Sequence, residues 1–274
     1  SKKFSTPLRY IQEIRGGQRA NVVPDTCTVI LKDLPLKTIQ EILQEMVLPE
    51  GVSAKVKEET GESIILTFKG LSAHGSLPQK GKNALIFALK FLKELDLSQE
   101  EKKLIQWLYE GSKGYYGEGF GIALADEPSG KLSLNLGIMN CSAEDISFVL
   151  DIRYPVTFGK EDVLIPMTKE AEKRGLNLLV LSHQEAHHVP KESPLVQGLL
   201  KAYSEVTGKE GYPFAIGGGT YAKVMAQGVA FGPSFPGEPE VIHSPDEYLS
   251  IENLILTTKI YAQAILNLAQ KPSS

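Results

Sequence analysis

The chain has 274 residues, 42% of them hydrophobic and 23% charged, which suits one large or two ordinary globular domains with a sizeable core. Its formal net charge of −4 argues against a nucleic-acid surface, and no apolar run approaches the roughly 18 residues of a membrane span. Two distant cysteines, Cys27 and Cys141, in no metal-type spacing, fit a reducing compartment, so a cytoplasmic location is expected.

The opening "SKKFSTPLRY" lacks an apolar signal core. It also lacks a methionine, and the expectation is a piece of a longer chain. Residues 27–31, "CTVIL", read as a β-branched strand. "TIQEILQEM" (38–46) places Ile39, Ile42, Leu43 and Met46 on one helical stripe. "SAKVKEETGESIILTFKG" reads as a hairpin turning around Gly61, with a return strand over 64–68. "NALIFALKFLKEL" (83–95) is an apolar-rich helix, so the order is β-α-β-β-α. The stretch 98–130 is less regular, and "GSKGYYGEGFG" reads as a mobile loop or insertion. "KLSLNLGIMNC" and "DISFVLDIRYPV" alternate and read as paired strands. A helix over "KEDVLIPMTKEAEKRG" follows, with Gly175 as C-cap, and then a strand over "LNLLVLSHQ". Two split βαβ-type units, with little identity between them, form an α/β region up to about residue 186.

The character then changes, and a domain boundary is placed near 186–190. "VPKESPLVQGLLKAYSEVTG" carries a turn and a helix with Ser193 as N-cap, Pro194 at N1 and Gly208 closing it. "FAIGGGTYAKV" and "GVAFGPSFPG" supply two or three short strands, and a long amphipathic helix capped by Ser250 ends the chain. A segment of about 85 residues is thin for a core of its own, so it reads as one part of a larger domain.

Candidate functional residues lie in the loops between these elements. His74, between Ala73 and Gly75, sits where small neighbours let a ligand approach; a loop histidine bonded to backbone is the plainer alternative. His243 precedes Ser244, Pro245 and Glu247, which suit an N-cap, an N1 proline and a capping-box acid. It reads either as part of a helix start or as an imidazole metal ligand with Asp246 or Glu247 behind it. "GGGTYAK" (217–223) matches a dinucleotide fingerprint through Gly217, Gly219 and Ala222. The short preceding strand and the lack of a following parallel βαβ pattern argue against that. A glycine nest at a helix start, holding an anion such as a carboxylate, is the better reading, with a tight turn as the alternative. Arg153 ends a strand before Tyr154-Pro155 and reads as a fork for a carboxylate or as an ion pair with Asp151. Asn21 in "RANVVP" reads as a turn residue. His183, Glu185, His187 and His188 form a cluster that is not H-E-x-x-H and reads as interdomain loop. The acid pairs Glu58-Glu59 and Glu100-Glu101 read as solvent-facing and non-catalytic.

Taken together, "RANVVP", "GLSAHGSLPQKGKNA", "DIRYP", "GGGTYAK", "VAFGPSFPG" and "HSPDE" resemble, in order and across essentially the whole chain, the co-catalytic zinc aminoacylase and dipeptidase family of metallopeptidases. The closest likeness is to its bacterial PepV-type dipeptidases. The resemblance implies an α/β protein in which residues 1–186 are an α+β lid and 187–274 the C-terminal part of an α/β catalytic domain. It implies two zinc ions per complete site, a metal-activated water and a small dipeptide substrate, with no nucleic-acid or membrane partner. By the same resemblance His243 is a zinc ligand and His74 reaches in from the lid to stabilise the transition state. Arg153, Gly218, Gly219 and Thr220 hold the substrate carboxylate, and Asn21 contacts substrate.

Two departures stand out. None of the five histidines begins a His-x-Asp, so the N-terminal catalytic half with its His-x-Asp pair, bridging Asp and Glu-Glu pair is absent. One imidazole cannot hold a catalytic zinc, which takes about three protein ligands; the isolated chain is expected to bind zinc weakly at most and to be inactive. Lys223 stands where relatives often carry Arg. The alternatives are a related deacylase or carboxypeptidase, or a non-catalytic peptide-binding or assembly module that self-associates. An enlarged lid of two α/β units favours the dipeptidase.

Overall fold

The computed structural model describes residues 1–5, 7–58, 63–239 and 246–269. The chain divides into two compact units, Ser1–Ala186 and His187–Ser274.

The first unit is built on strands β1 (Lys2–Lys3), β2 (Ile11–Gly16), β3 (Thr26–Leu31), β4 (Ser53–Glu58) and β5 (Ile64–Lys69). A small hairpin of β6 (Ala125–Asp126) and β7 (Gly130–Lys131) precedes the two long strands β8 (Ser133–Ser142) and β9 (Asp145–Arg153). Seven strands make one sheet in the order β1-β9-β8-β2-β3-β5-β4, and every neighbouring pair is antiparallel. The helices are α1 (Leu36–Glu45), α2 (Ala84–Lys93), α3 (Gln99–Ser112) and α4 (Lys160–Glu172). They bury Ile39, Leu85, Leu89, Leu92, Ile105 and Ala171 against Ile14, Val29, Leu66, Phe68 and Met139 of the strands in one core. A satellite cluster gathers Phe120, Ile122, Leu132, Leu134, Val163 and Met167.

The first split βαβ unit forms: β3 and β4 run parallel with β5 between them. The second does not close. Residues 177–186 carry no strand, and Leu179, Val180 and Leu181 are exposed. The start of this segment is tied down where Asn177 and Ser1 exchange backbone hydrogen bonds of 2.7 and 2.9 Å, and its later part meets Tyr154 through His183 and Glu185. Strand β2 was not anticipated because a register shift between Ile11 and Glu13 breaks the two-residue period, leaving Ile11 and Ile14 both buried. Helix α3 replaces the irregular segment expected after residue 98. Its signal is a capping box: Glu101 N meets Ser98 Oγ at 3.4 Å, and Glu101 Oε2 accepts from Ser98 N at 3.0 Å. Glu101 is also a correction to its solvent-facing assignment, since it is fully buried.

The second unit contains α5 (Pro194–Thr207), a 3₁₀ turn over Tyr221–Val224 and α6 (Ile251–Ala269). Ser193 Oγ accepts from Val196 N at 3.3 Å, and Gly208 ends α5 with φ 67°. Helix α6 starts after Ser250, whose Oγ accepts from Asn253 N at 3.2 Å. Residues 246–250 are not helical, so Glu247 is not the third residue of a helix. The short strands expected over 214–236 are absent among the described residues; strand-like runs need a strand neighbour to pair with, and none is described in this unit.

Candidate active-site loop cluster

The alternation of β9 decides which side chains are offered to a ligand. Ile146, Phe148, Leu150 and Ile152 pack on the cores, so Asp151 and Arg153 project from the opposite face. Across the ladder Asp151 pairs with Asn135 and Arg153 with Ser133, bringing Ser133 and Asn135 to the same face. The register shift between Leu136 and Ile138 leaves Gly137 as an extra residue. A Cβ there would meet Ala20 O at 2.2 Å, so the bare backbone lets the Ala20–Val22 turn lie against the strand.

That turn is held from below by buried amides. Asn135 Nδ2 donates to Ala20 O at 2.9 Å and Val22 O at 3.0 Å. Asn83 Nδ2 donates to Leu136 O at 2.9 Å and Asn135 Oδ1 at 3.3 Å. The Oδ1 of Asn83 meanwhile accepts from Leu85 N at 3.0 Å as the N-cap of α2.

The His74 loop closes onto the same turn. Leu71 and Lys82 exchange backbone bonds of 3.0 and 2.7 Å at the loop's neck. Val22 bridges His74, Val23 N donates to Ala73 O at 2.8 Å, and Gly75 N donates to Asn21 O at 2.8 Å. The small residues around His74 follow from this crowding. A Cβ on Gly70 would lie 1.9 Å from Lys82 O, and one on Gly75 would lie 2.8 Å from Asp151 Oδ2 and 3.0 Å from Asn21 Cα. His74 itself is exposed. Ser76 N donates to its Nδ1 at 3.3 Å, and Ser76 Oγ lies 2.7 Å from that nitrogen. A neutral ring accepting at Nδ1 carries its proton on Nε2.

Arg153 lies at the rim of this cluster, its Nη2 2.8 Å and its Nε 3.3 Å from Asp151 Oδ2. Asn21, His74 and Arg153, distant in sequence, thus share one cluster joined through Asp151 and Gly75. Sequence reasoning missed Asn135 and saw Asp151 only as an ion-pair partner. The signal was a polar residue inside each of two otherwise apolar alternations.

The second unit holds the other assignments. Thr220 Oγ1 accepts from Ala222 N at 3.3 Å, capping the four-residue 3₁₀ turn. Gly218 borders open space, and a Cβ on Gly219 would lie 3.3 Å from Lys223 Nζ. None of the glycines 217–219 has a positive φ, so the left-handed step of a nest is not formed there. His243 lies outside the described residues. Among the described residues no three His, Cys, Asp or Glu side chains converge to hold a metal, and no helix is long and apolar enough to cross a membrane.

Other reactive groups are accounted for structurally. Burial pushes the Cys27 and Cys141 thiols up to about 12, which removes them as nucleophiles at neutral pH. Tyr154 Oη lies 2.7 Å from His183 Nε2 and donates to Glu185 Oε2 at 3.3 Å. His187 Nε2 lies 2.6 Å from Gly228 O.

Residues 79–267 match the family model described as peptidase family M20/M25/M40. A protein of Bacillus subtilis (strain 168), named provisionally as a dipeptidase, is 34% identical over 266 residues, covering 96% of this chain and 57% of its own. The Beta-Ala-Xaa dipeptidase of Lactobacillus delbrueckii subsp. lactis is 29% identical over 264 residues, covering 95% of this chain and 55% of its own. The chain therefore spans little more than half the length of these curated relatives. An aminoacylhistidine dipeptidase from Vibrio alginolyticus overlays with a TM-score of 0.45 at 15% identity, over all of this chain and 65% of that one, a likeness too weak to argue from.

Proposed function

The chain belongs to peptidase family M20/M25/M40, and from that premise we propose that the full-length protein is a dinuclear zinc dipeptidase of the cytoplasm. In this reading residues 1–186 are its lid and 187–274 the C-terminal part of its catalytic domain. The family match and the dipeptidase names of its relatives support the hydrolase reading. The observation that carries the site assignment is the meeting of Asn21, the His74 loop and Arg153 in one loop cluster.

The donors for zinc do not converge among the described residues. In this reading His243 is this chain's one ligand, and the others lie outside this sequence. Bound zinc supplies Lewis-acid activation of water; the residues of this chain do the rest. The Nε2 proton of His74 is presented to the oxygen of the scissile carbonyl as charge develops on it, an interaction whose loss typically costs about 2.7–4 kcal/mol. In this reading Arg153 and the Gly218–Thr220 backbone are each assigned charge-assisted hydrogen bonds to the substrate's free carboxylate, and Asn21 a contact to the substrate. Catalytic groups on a separate lid suit closure over a small substrate.

The test is a panel assay of the full-length protein with dipeptides, N-acyl amino acids and longer peptides, with zinc measured by elemental analysis. Dipeptide turnover with about two zinc ions per chain is expected; preference for N-acyl amino acids moves the reading to the deacylases. His74→Ala should keep the zinc content and lower kcat by about 100- to 1,000-fold. Loss of zinc in that variant would show that His74 has been given the wrong role. The 274-residue chain alone, supplied with zinc, should show no turnover.

A further inference from the structure

Starting from the reading of Arg153 given above, we propose that Asp151 is the positioning residue that sets the Arg153 fork and, through Gly75, locks it to the His74 loop. Three observations carry this. Asp151 takes Arg153 side-on, with Nε at 3.3 Å and Nη2 at 2.8 Å from the same oxygen, Oδ2. Two donors on one acceptor fix both the plane and the direction of the guanidinium, the two properties a bidentate carboxylate contact depends on. The same Oδ2 is pressed against Gly75, where any added Cβ would come within 2.8 Å of it. Gly75 N in turn bonds Asn21 O at 2.8 Å, and Asn135, the ladder partner of Asp151, holds the carbonyls either side of Asn21.

An incidental surface pair would differ in its setting. Side-chain exposure is 25% for Arg153 and 17% for Asp151, so the pair is largely enclosed and its geometry is constrained by neighbours on both sides. The carboxylate length also matters. A glutamate would carry its carboxylate a methylene further along, away from the Oδ2 position that meets both Nε and Nη2 of Arg153, so the arrangement depends on the length of the side chain as well as its charge.

The experiment compares, in the full-length protein, a good dipeptide substrate with its C-terminal amide. Wild type should prefer the free acid strongly, and Arg153→Ala should abolish the preference. Asp151→Asn should raise KM for the free acid about 10- to 100-fold, change kcat much less, and leave kcat/KM for the amide within about threefold. Asp151→Glu should fail to restore the acid preference; full rescue by Glu would show that charge alone matters and overturn the positioning role. Equal losses on acid and amide in Asp151→Asn, or retained acid preference while Arg153→Ala loses it, would overturn the inference and leave the dipeptidase reading standing. A wild type indifferent to the free carboxylate would remove the Arg153 reading and this inference together. Thermal unfolding of each variant, expected to match wild type, separates these effects from misfolding.

Discussion

At the scale of single residues, the most consequential polar group outside the loop cluster is Glu101. Its Oε1 accepts from Tyr10 N at 2.7 Å and Ile11 N at 3.0 Å, and its Oε2 accepts from Ser98 N at 3.0 Å and Ser98 Oγ at 2.5 Å. One carboxylate therefore caps α3 and anchors the entry to β2, at no exposure to solvent. Buried donors left without an acceptor cost about 1–3 kcal/mol each. Glu101→Ala should destabilise the fold by about 3–5 kcal/mol, read by urea denaturation. The neighbouring Glu100→Ala change, in the exposed first turn of α3, should stay within about 0.5 kcal/mol. The sequence shows S-x-x-E here, which is a helix-start signal, but the reach of Glu101 to residues some 90 positions away is set by chain packing and is not local information.

At the scale of elements, short polar links decide how the satellite cluster is held together. Asp126 of β6 accepts from Ser129 N and Oγ at 2.7 and 2.8 Å, and from Thr157 N and Oγ1 at 3.0 and 3.0 Å. It thereby ties the β6–β7 hairpin to the turn between β9 and α4. Partial burial alone pushes this carboxyl up, but the bonds from Ser129 and Thr157 outweigh it and hold it at about 2, against an ordinary 3.8. A carboxylate held low stabilises the folded state above its ordinary value and loses that contribution as pH falls through about 2. The advantage of wild type over Asp126→Asn should be about 1 kcal/mol at pH 5 after solvent screening. It should be roughly halved at pH 3, as measured by denaturant titration at the two values. A difference that grows on acidification would contradict the arrangement. The elements themselves were partly readable. Asn83 with the apolar run after it marks α2, and Ser193-Pro194 with Gly208 marks α5, because caps are local chemistry. Strand β2 hid behind its irregular register, and "LNLLVLSHQ" looked like a strand although an apolar run alone cannot supply a hydrogen-bonding neighbour.

At the scale of the whole molecule, the two units differ in how completely each buries its own apolar surface. The first contains both core clusters. The second buries Val196, Ala202, Ile260 and Ala264, but leaves Tyr221 94%, Phe214 78% and Ile265 67% exposed, and Thr257 Oγ1 buried with no partner among the described residues. Residues 1–186 expressed alone should unfold in one cooperative transition. Residues 187–274 alone should bind a hydrophobic dye and melt without a sharp transition, both followed by circular dichroism and dye fluorescence. A cooperative melt of the second fragment would show that its core is larger than the described residues reveal. The sequence by itself determined the mixed α/β character, most helix starts and the identities of the loop residues, because capping, periodicity and short motifs are written in neighbouring residues. Only the tertiary structure decided that seven strands of the first unit merge into a single antiparallel sheet and that Asp151 and Asn135 stand beneath Arg153 and Asn21. Cross-strand pairing and loop-on-loop packing join residues far apart in the chain, and no local pattern encodes which of them will meet.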